Sequence, residues 1–534
     1  MCSYCVLRWA LAWTHCVETA LLQQILLPGL GHSTACPRRC QGTRQGRLPR
    51  ANPCCRTHWT HRKAGGVLQR THWVPGEMGN SRSRAEQKCY SQFLPEEQAE
   101  VDALFGTLSL DKDSSEALPR SFSLQALKNR IGEALPPEMV TRLYDGMQRV
   151  HPTGRAQGPS KGVSQEQFTV SLSHMLKGSS EERSLMILKM ISAKEGPVKA
   201  RDLQKFTEDL VGSVEHVLAH RQELKGWTRK KAPGTPTRVQ ALAAHLLSEM
   251  KLPDGSRPLG PHWLDHACDR ATVEDWVFRV PHVATFLRVV IHQGFLVLCS
   301  SLDLATLVPE CQVGPGQEFD SVLDVLAVIY LNSHLAREQR HHWRLLFSSQ
   351  LHGQSFSQLC GHITHRGPCL ILLEDQDGHV FGGFASCPWE VKPQFQGDER
   401  CFLFSVSPSM AVYRHTGYND HFMYLNCGQQ TIPNGLGLGG QHDYFGLWVD
   451  ADFGKGHSKA KPTCTTYNSP QLSSKENFRF DKMEVWAVGD PPESQLVQGK
   501  KSILDVDPEA RALLEITGQT RHSEGLREAP EDDA

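Results

Sequence analysis

Apolar residues change their spacing along the 534-residue chain, and each change marks a different kind of segment. Over residues 92–220 they recur every three or four positions. LPEEQAEVDALFGTL puts Val101, Leu104, Phe105 and Leu108 on one face of a predicted helix, with acids in its first turn. SLQALKNRIG, PPEMVTRLYDGMQRV, SQEQFTVSLSHMLKG, EERSLMILKMIS and KARDLQKFTEDLVGSVEHVLAHR repeat the pattern. Beyond the PGTPT linker at 233–237, RVQALAAHLLSEMKL and TVEDWVFRVPHVATFLRVVIHQGF are also helical. Pro281 breaks the second of these, and Trp276, Phe278 and Phe286 are its expected core residues. The polar stretch at 312–320 then separates this helical part from the C-terminal part of the chain.

From residue 321 the pattern changes again. SVLDVLAVIYLNSHL (321–335) predicts a strongly apolar helix, and the run opening at Trp343 is expected to end a helix. Short aromatic-rich runs come next, separated by turns. Residues 369–373 and 379–386 flank Asp377-Gly378, the signature of a β-hairpin. CFLFSVSP (401–408), YNDHFMYLN (418–426), PNGLGLGGQHDYFGLWVD (433–450) and MEVWAVGD (483–490) continue the series. Such runs predict antiparallel sheets packed face to face, so the expected class is α+β, with an all-helical part ahead of the sheets.

Composition separates off the start of the chain. Residues 1–77 hold seven of the 17 cysteines and many arginines, with Glu18 and Glu77 as their acids. Apolar positions there keep no helical or strand period, and Cys36, Cys40, Cys54 and Cys55 lack paired zinc spacing. We read a disordered extension. Met78 then opens MGNSRSRAEQKC, which fits the myristoylation pattern with Gly79 as acceptor, provided that translation starts at Met78. A single acyl chain binds membranes marginally, and Arg82, Arg84, Lys88 and Cys89 are available to reinforce it. A formal net charge of −1 supplies no field favouring nucleic acid. The most apolar window, 286–308, is interrupted by Arg288, His292 and Asp303, too polar for a membrane span.

Candidate chemistry is sparse. The connections between the helices of 92–232 have the outline of EF-hands and lack the ligands. With Gly196 at the sixth loop position, Ile191 and Ala193 occupy the first and third and Asp202 the twelfth. The first loop has Asp111 and Asp113 but Phe122 in the last place, and residues 146–163 contain no acid. This predicts an EF-hand-like helical domain indifferent to calcium. GLGLGG (435–440) is followed by an aromatic strand pattern, not by a helix that would face a phosphate, so its glycines are expected to serve a turn or a close backbone approach. Ser355 in GQSFS lacks the second glycine of a nucleophile elbow and is expected to be a cap or turn hydroxyl. Glu374-Asp375 and His442-Asp443 are a candidate acid/base cluster. Cys360, Cys369, Cys387, Cys401 and Cys427 fall mostly in apolar patterns and read as buried thiols. No metal, cofactor or catalytic residue is assigned. Residues 507–517 form a punctuated short helix, with Asp507 as cap and Gly518 as stop, whose face carries Ala510, Leu513, Leu514 and Ile516. Too short to stand alone, it is expected to dock on its own domain or on a partner.

Taken together and in order, LLFSSQLHGQSF, GPCLILLEDQDGHVFGGFAS, CFLFS, GLGLGGQ, LWVD and EVWAVG closely resemble the TLDc domain family over residues 321–490. The resemblance implies two packed antiparallel sheets flanked by helices, and the vacuolar proton ATPase as partner. The preceding helical domain and the MGNS start are most similar to the mTOR-associated, lysosome-directed branch of that family. This implies a non-enzymatic adaptor, peripheral on the lysosomal membrane, that engages mTOR-pathway proteins. The alternative it leaves open is an oxidation-protective enzyme using a thiol or acidic site. The expected map is an extension (1–77), a lipidation-type segment (78–91), the EF-hand-like domain (92–232), a linker and further helices (233–320), the TLDc domain (321–490) and a tail (491–534) carrying the docking helix.

Overall fold

The computed structural model describes residues 91–109, 120–151, 162–229, 238–251, 261–314 and 319–491. The helical part begins with α1 (Pro95–Leu108), β1 (Ser121–Phe122), α2 (Leu124–Ile131), α3 (Pro137–Gln148), β2 (Val163–Ser164), α4 (Gln165–Leu176), α5 (Ser180–Ile191), β3 (Val198–Lys199) and α6 (Ala200–His220). It continues with α7 (Arg238–Ser248), β4 (Ala267–Cys268), α8 (Arg270–Arg279), α9 (Pro281–Phe295) and α10 (Leu304–Leu307). Side chains set the starts. Ser123, Ser164, Ser179 and Asp269 accept hydrogen bonds from backbone amides three residues on, and α1, α3 and α9 open on proline. The two-residue strands pair antiparallel just ahead of helices, Phe122 with Val163 and Val198 with Cys268. The face expected on α1 is buried. Phe278 corrects the expected core: Trp276 and Val277 turn inward on the ten-residue α8, and Phe278, about 200° round from Trp276, is 74% exposed.

Beyond β5 (Glu310–Gln312) come α11 (Val325–Ser333), β6 (His342–Ser348), α12 (Phe356–Ile363), β7 (Cys369–Asp375), β8 (Val380–Ala385), β9 (Lys392–Gln396), β10 (Phe402–Ser407) and β11 (Ala411–Arg414). The series ends with β12 (Met423–Asn426), β13 (Gly435–Gln441), β14 (Tyr444–Asp450), β15 (Lys455–His457) and β16 (Asn477–Val488). The predicted hairpin is present, Cys369 opposite Ala385 and Glu374 opposite Val380, with Gly378 at φ +81° in its turn. Helix α11 is shorter than expected because Asp324 caps it, accepting from the Ala327 amide at 2.9 Å. The run at Trp343 is a strand, not the end of a helix. It pairs with β16, Val488 opposite Trp343.

Two antiparallel sheets result, joined by β16. Its first residues pair with β15 in the second sheet (Arg479 opposite Lys455), and its last residues lie between β7 and β6 in the first. One apolar core fills the space between the sheets, with Ile371, Phe381 and Leu403 from the first and Leu425, Leu436, Leu447 and Val449 from the second. The opposite face of the first sheet, carrying Leu370, Leu372, Phe402, Phe404 and Trp486, belongs to a second core continuous with the helices. Across the boundary expected near residue 320 the packing is unbroken. Strand β5 pairs parallel to β6, and Trp227 lies 5.0 Å from Trp486 and 5.6 Å from Trp343. Glu484, 2% exposed, accepts from Ser321 Oγ and the Val322 amide at 2.7 Å and from Trp486 Nε1 at 3.0 Å. The order is therefore helices, first sheet, second sheet.

Candidate functional site

The outer face of the second sheet is built by strand register. Pairing places Tyr424, Gly437, Trp448, His457 and Asn477 in one row across β12 to β16, and Lys455 beside Arg479 in a neighbouring row. GLGLGG supplies the alternation this needs. Leu436 and Leu438 fill the core between the sheets, and the intervening glycines leave room for rings. A Cβ on Gly435 would stand 2.3 Å from the Trp448 ring, and one on Gly437 2.6 Å from Phe445. The motif is thus a strand with close backbone approach, not a turn, although Gly439 (φ +71°) and Gly440 (φ +87°) do bend its end. Phe445 stacks on Trp448 with ring centres 4.6 Å apart, and His457 lies on Trp448 at 5.9 Å.

This aromatic floor borders a cleft of about 540 Å³ whose other side is the β7–β8 turn. Trp448, His457, Asp450, Lys455, Lys475, Arg479 and Asp377 line it. Lys475 pairs with Asp377 at 3.0 Å and Lys455 with Asp452 at 2.8 Å. Hydrogen bonds from Ser474 and Lys475 hold the Asp377 carboxyl below its usual range, and Lys455 does the same for Asp452. Burial pushes His457 down to about 4, and its Nε2 is sealed from solvent without a hydrogen-bond partner among the described residues. A neutral imidazole and ionised carboxylates near pH 7 leave neither His457 nor these acids poised for proton transfer. The cleft offers an aromatic floor with charges of both signs, chemistry suited to gripping a polypeptide.

The acid/base cluster considered from the sequence does not assemble. Glu374 pairs with Lys482 at 2.8 Å, and buried Asp375 accepts from the Asp377 and His379 amides and from Ser473 Oγ. His442 packs instead against Phe395, Tyr424 and Phe445, next to Asp443 (φ +66°) between β13 and β14. Ser355 stands at the N-cap position of α12 without capping it, its hydroxyl meeting that of Ser357 at 3.0 Å. Burial raises the Cys360 and Cys369 thiols to about 12 and pushes up Cys401 and Cys464 as well. Cys369 also accepts from Trp389 Nε1 at 3.2 Å. These four are packing thiols held protonated, whereas Cys387 is half-buried and Cys427 is exposed, which corrects the expectation of burial for both. Among the described residues no group of three or more metal-ligating side chains converges, and no helix is long and apolar enough to cross a membrane. Gly79, the loop acids Asp111 and Asp113, and Ala510, Leu513, Leu514 and Ile516 lie outside the described residues. The cleft was missed from the sequence because its residues come together only through register; the alternating glycines and leucines of β13 were the available signal.

Comparison with known proteins places the TLDc domain at residues 317–489. The chain is 75% identical over 456 residues to the human protein named MTOR-associated protein MEAK7, covering 85% of this chain and 100% of the relative. It is 44% identical over 460 residues to the Danio rerio protein of the same name, again covering 85% of this chain and 100% of the relative. Human nuclear receptor coactivator 7 is similar over a shorter span, 35% identical over 153 residues, or 28% of this chain and 15% of that one.

Proposed function

The chain belongs to the MEAK7 family of TLDc-domain proteins, and from that premise we propose that it is a non-enzymatic adaptor and regulator in mTOR signalling. The observation that carries this reading is the full-length match to a relative whose name states mTOR association. The buried, protonated thiols and the unassembled acid pair favour it over an oxidation-protective enzyme. In the proposal the TLDc domain binds the vacuolar proton ATPase at the lysosomal membrane, using the cleft beside Trp448, where Lys455, Lys475 and Arg479 are exposed. Leu513 and Leu514, with Ala510 and Ile516, add a tethered second contact, which strengthens binding by raising the effective concentration of a weak helix. Gly79, once exposed by a start at Met78, carries the acyl chain that brings the protein to membranes. The helical part is read as EF-hand-like scaffolding that works without calcium.

The test is affinity purification with quantitative mass spectrometry from cells expressing forms that start at Met1 or at Met78. Proton-pump subunits and mTOR-pathway proteins are expected with both forms, and myristate with the Met78 form alone. Gly79→Ala should move that form into the soluble fraction. Leu513→Asp with Leu514→Asp should reduce pump capture while leaving the melting temperature unchanged. Absence of pump subunits from both forms rejects the partner assignment; an unacylated Met78 form rejects the anchor.

A further inference from the structure

We propose that the seam between the helical layer and the first sheet is an acid-operated latch. Protonation of His245, His282 and His334, gathered around Tyr330, releases the helices from the sheet while the sandwich stays folded.

The three imidazoles come from three places along the chain. His245 sits on α7, His282 at the start of α9 and His334 just past α11. Their ring centres lie 4.8, 6.5 and 4.9 Å from that of Tyr330, and His334 also meets Phe402 of the first sheet at 6.3 Å. The rings are half-buried, but their inner atoms are closed off. His282 Nε2, His334 Nε2 and Tyr330 Oη are sealed from solvent and lack hydrogen-bond partners among the described residues. Polar atoms left in this state mark a joint that is closed at a cost.

Arg414 of β11 determines which form of His334 fits. Its Nη2 lies 3.1 Å from His334 Nδ1. A guanidinium has no lone pair to offer, so Nδ1 must accept, and the imidazole must be neutral with its proton on Nε2. A second proton would set two donors and two cations face to face. The surroundings do little to relieve this. Arg414 and Tyr413 face the cluster from β11, and Arg340 from the turn after α11. The carboxylates are Glu249, just past α7, and Glu208 of α6, which shares with His245 the lining of a cleft of about 520 Å³. That cleft gives protons a way in. Two other buried histidines of the helical layer each have one partner, although His174 Nδ1 is also sealed without one among the described residues. His174 has Glu182 at 3.5 Å, and His292 has the Val297 carbonyl at 2.8 Å.

The pKa directions agree with the geometry. Burial lowers all three, His282 to about 4 and His334 to about 3, while Glu249 partly offsets the effect on His245. Once released, these histidines return to their ordinary value near 6.5. Depressed values in the closed state mean that the open state binds more protons, so the seam is strongest above about pH 7 and weakens as pH falls through about 6.5 toward 4. His282 and His334 each shift the opening equilibrium about tenfold between about pH 7.5 and about pH 5.5, about a hundredfold together, and His245 adds to this in the same direction.

The experiment is hydrogen–deuterium exchange on the full chain at those two pH values, corrected for intrinsic exchange rates. Protection over 238–248 and 325–333 should fall by about two orders of magnitude or more at the lower pH, while 435–450, in the second sheet, keeps its protection. His282→Gln with His334→Gln, in which a glutamine oxygen can still accept from Arg414, should remove most of the seam's response. In parallel, imidazole NMR titration of the unmodified protein reads the same equilibrium without a variant and should give values well below 6.5 for three rings. Loss of protection everywhere at once, an unchanged response in the double variant, or ordinary titration of these imidazoles would each overturn the latch.

Discussion

Leu370 and Leu372 on the outward face of the first sheet are buried under helices, whereas the corresponding face of the second sheet carries Trp448, His457 and Asn477 beside a cleft. Both sheets send leucine, valine and phenylalanine into the core they share. The difference lies in what covers the other side. A strand covered twice has no polar side to show, so β7 and β8 read as continuous apolar runs. The outer side of β13 is covered instead by the Phe445 and Trp448 rings of β14, and the strand alternates leucine with glycine to leave room for them. Room for change is therefore unequal. The first sheet is locked into the architecture, and the second has exposed positions at its cleft, Lys455, Asn477 and Arg479, that can vary without the fold being lost.

The largest contrast should come from adding one methyl group to each sheet. A Cβ at Gly382 of β8 would lie 1.8 Å from the Ile371 carbonyl oxygen and 2.8 Å from the Phe404 ring, both fixed between layers. Gly382→Ala should cost about 3 kcal/mol or more, or prevent soluble expression, as judged by thermal melting. Glu484→Leu comes next. Removing the carboxylate strands Ser321 Oγ, the Val322 amide and Trp486 Nε1, and should cost about 3 kcal/mol in urea unfolding. The atoms nearest a Cβ at Gly437 are side-chain ones, Phe445 ring carbons at 2.6 Å in a small buried aromatic cluster outside the two main cores, so Gly437→Ala should cost less, about 1 to 2 kcal/mol. Equal losses at Gly382 and Gly437 would remove the distinction between the sheets. The smallest stability effect belongs to Lys455→Glu with Arg479→Glu, both exposed on the cleft. Its melting temperature should match that of the unmodified protein while proton-pump capture drops; unchanged capture would take this face out of the proposed interface.

Legibility in the sequence divides along the same line. The Asp-Gly hairpin, the amphipathic helices of 92–220 and the class of two packed sheets were legible because each rests on local spacing. Trp343 to Ser348 misled because a strand buried on both faces loses its period of two and resembles the end of an apolar helix. Phe278 misled because an apolar residue next to Trp276 invites a core assignment that the helical angle refuses. The cleft was not legible at all. Trp448, His457 and Asn477 are neighbours only after three strands have found their register, and no single window contains that information.

Strand β16 also sets a timetable. It is the last strand of the sandwich to leave the ribosome and the one at its centre, lying between β6 and β7 in the first sheet and beside β15 in the second. The nascent domain therefore waits with its strand edges open until Val488 has emerged, and an open apolar edge invites pairing with other chains. A ribosome that halts between His457 and Asn477 releases a chain with every strand of the sandwich but β16, and neither sheet complete. Quality control of this protein thus turns on its final dozen sheet residues, and even a late truncation should behave as a loss of the whole domain.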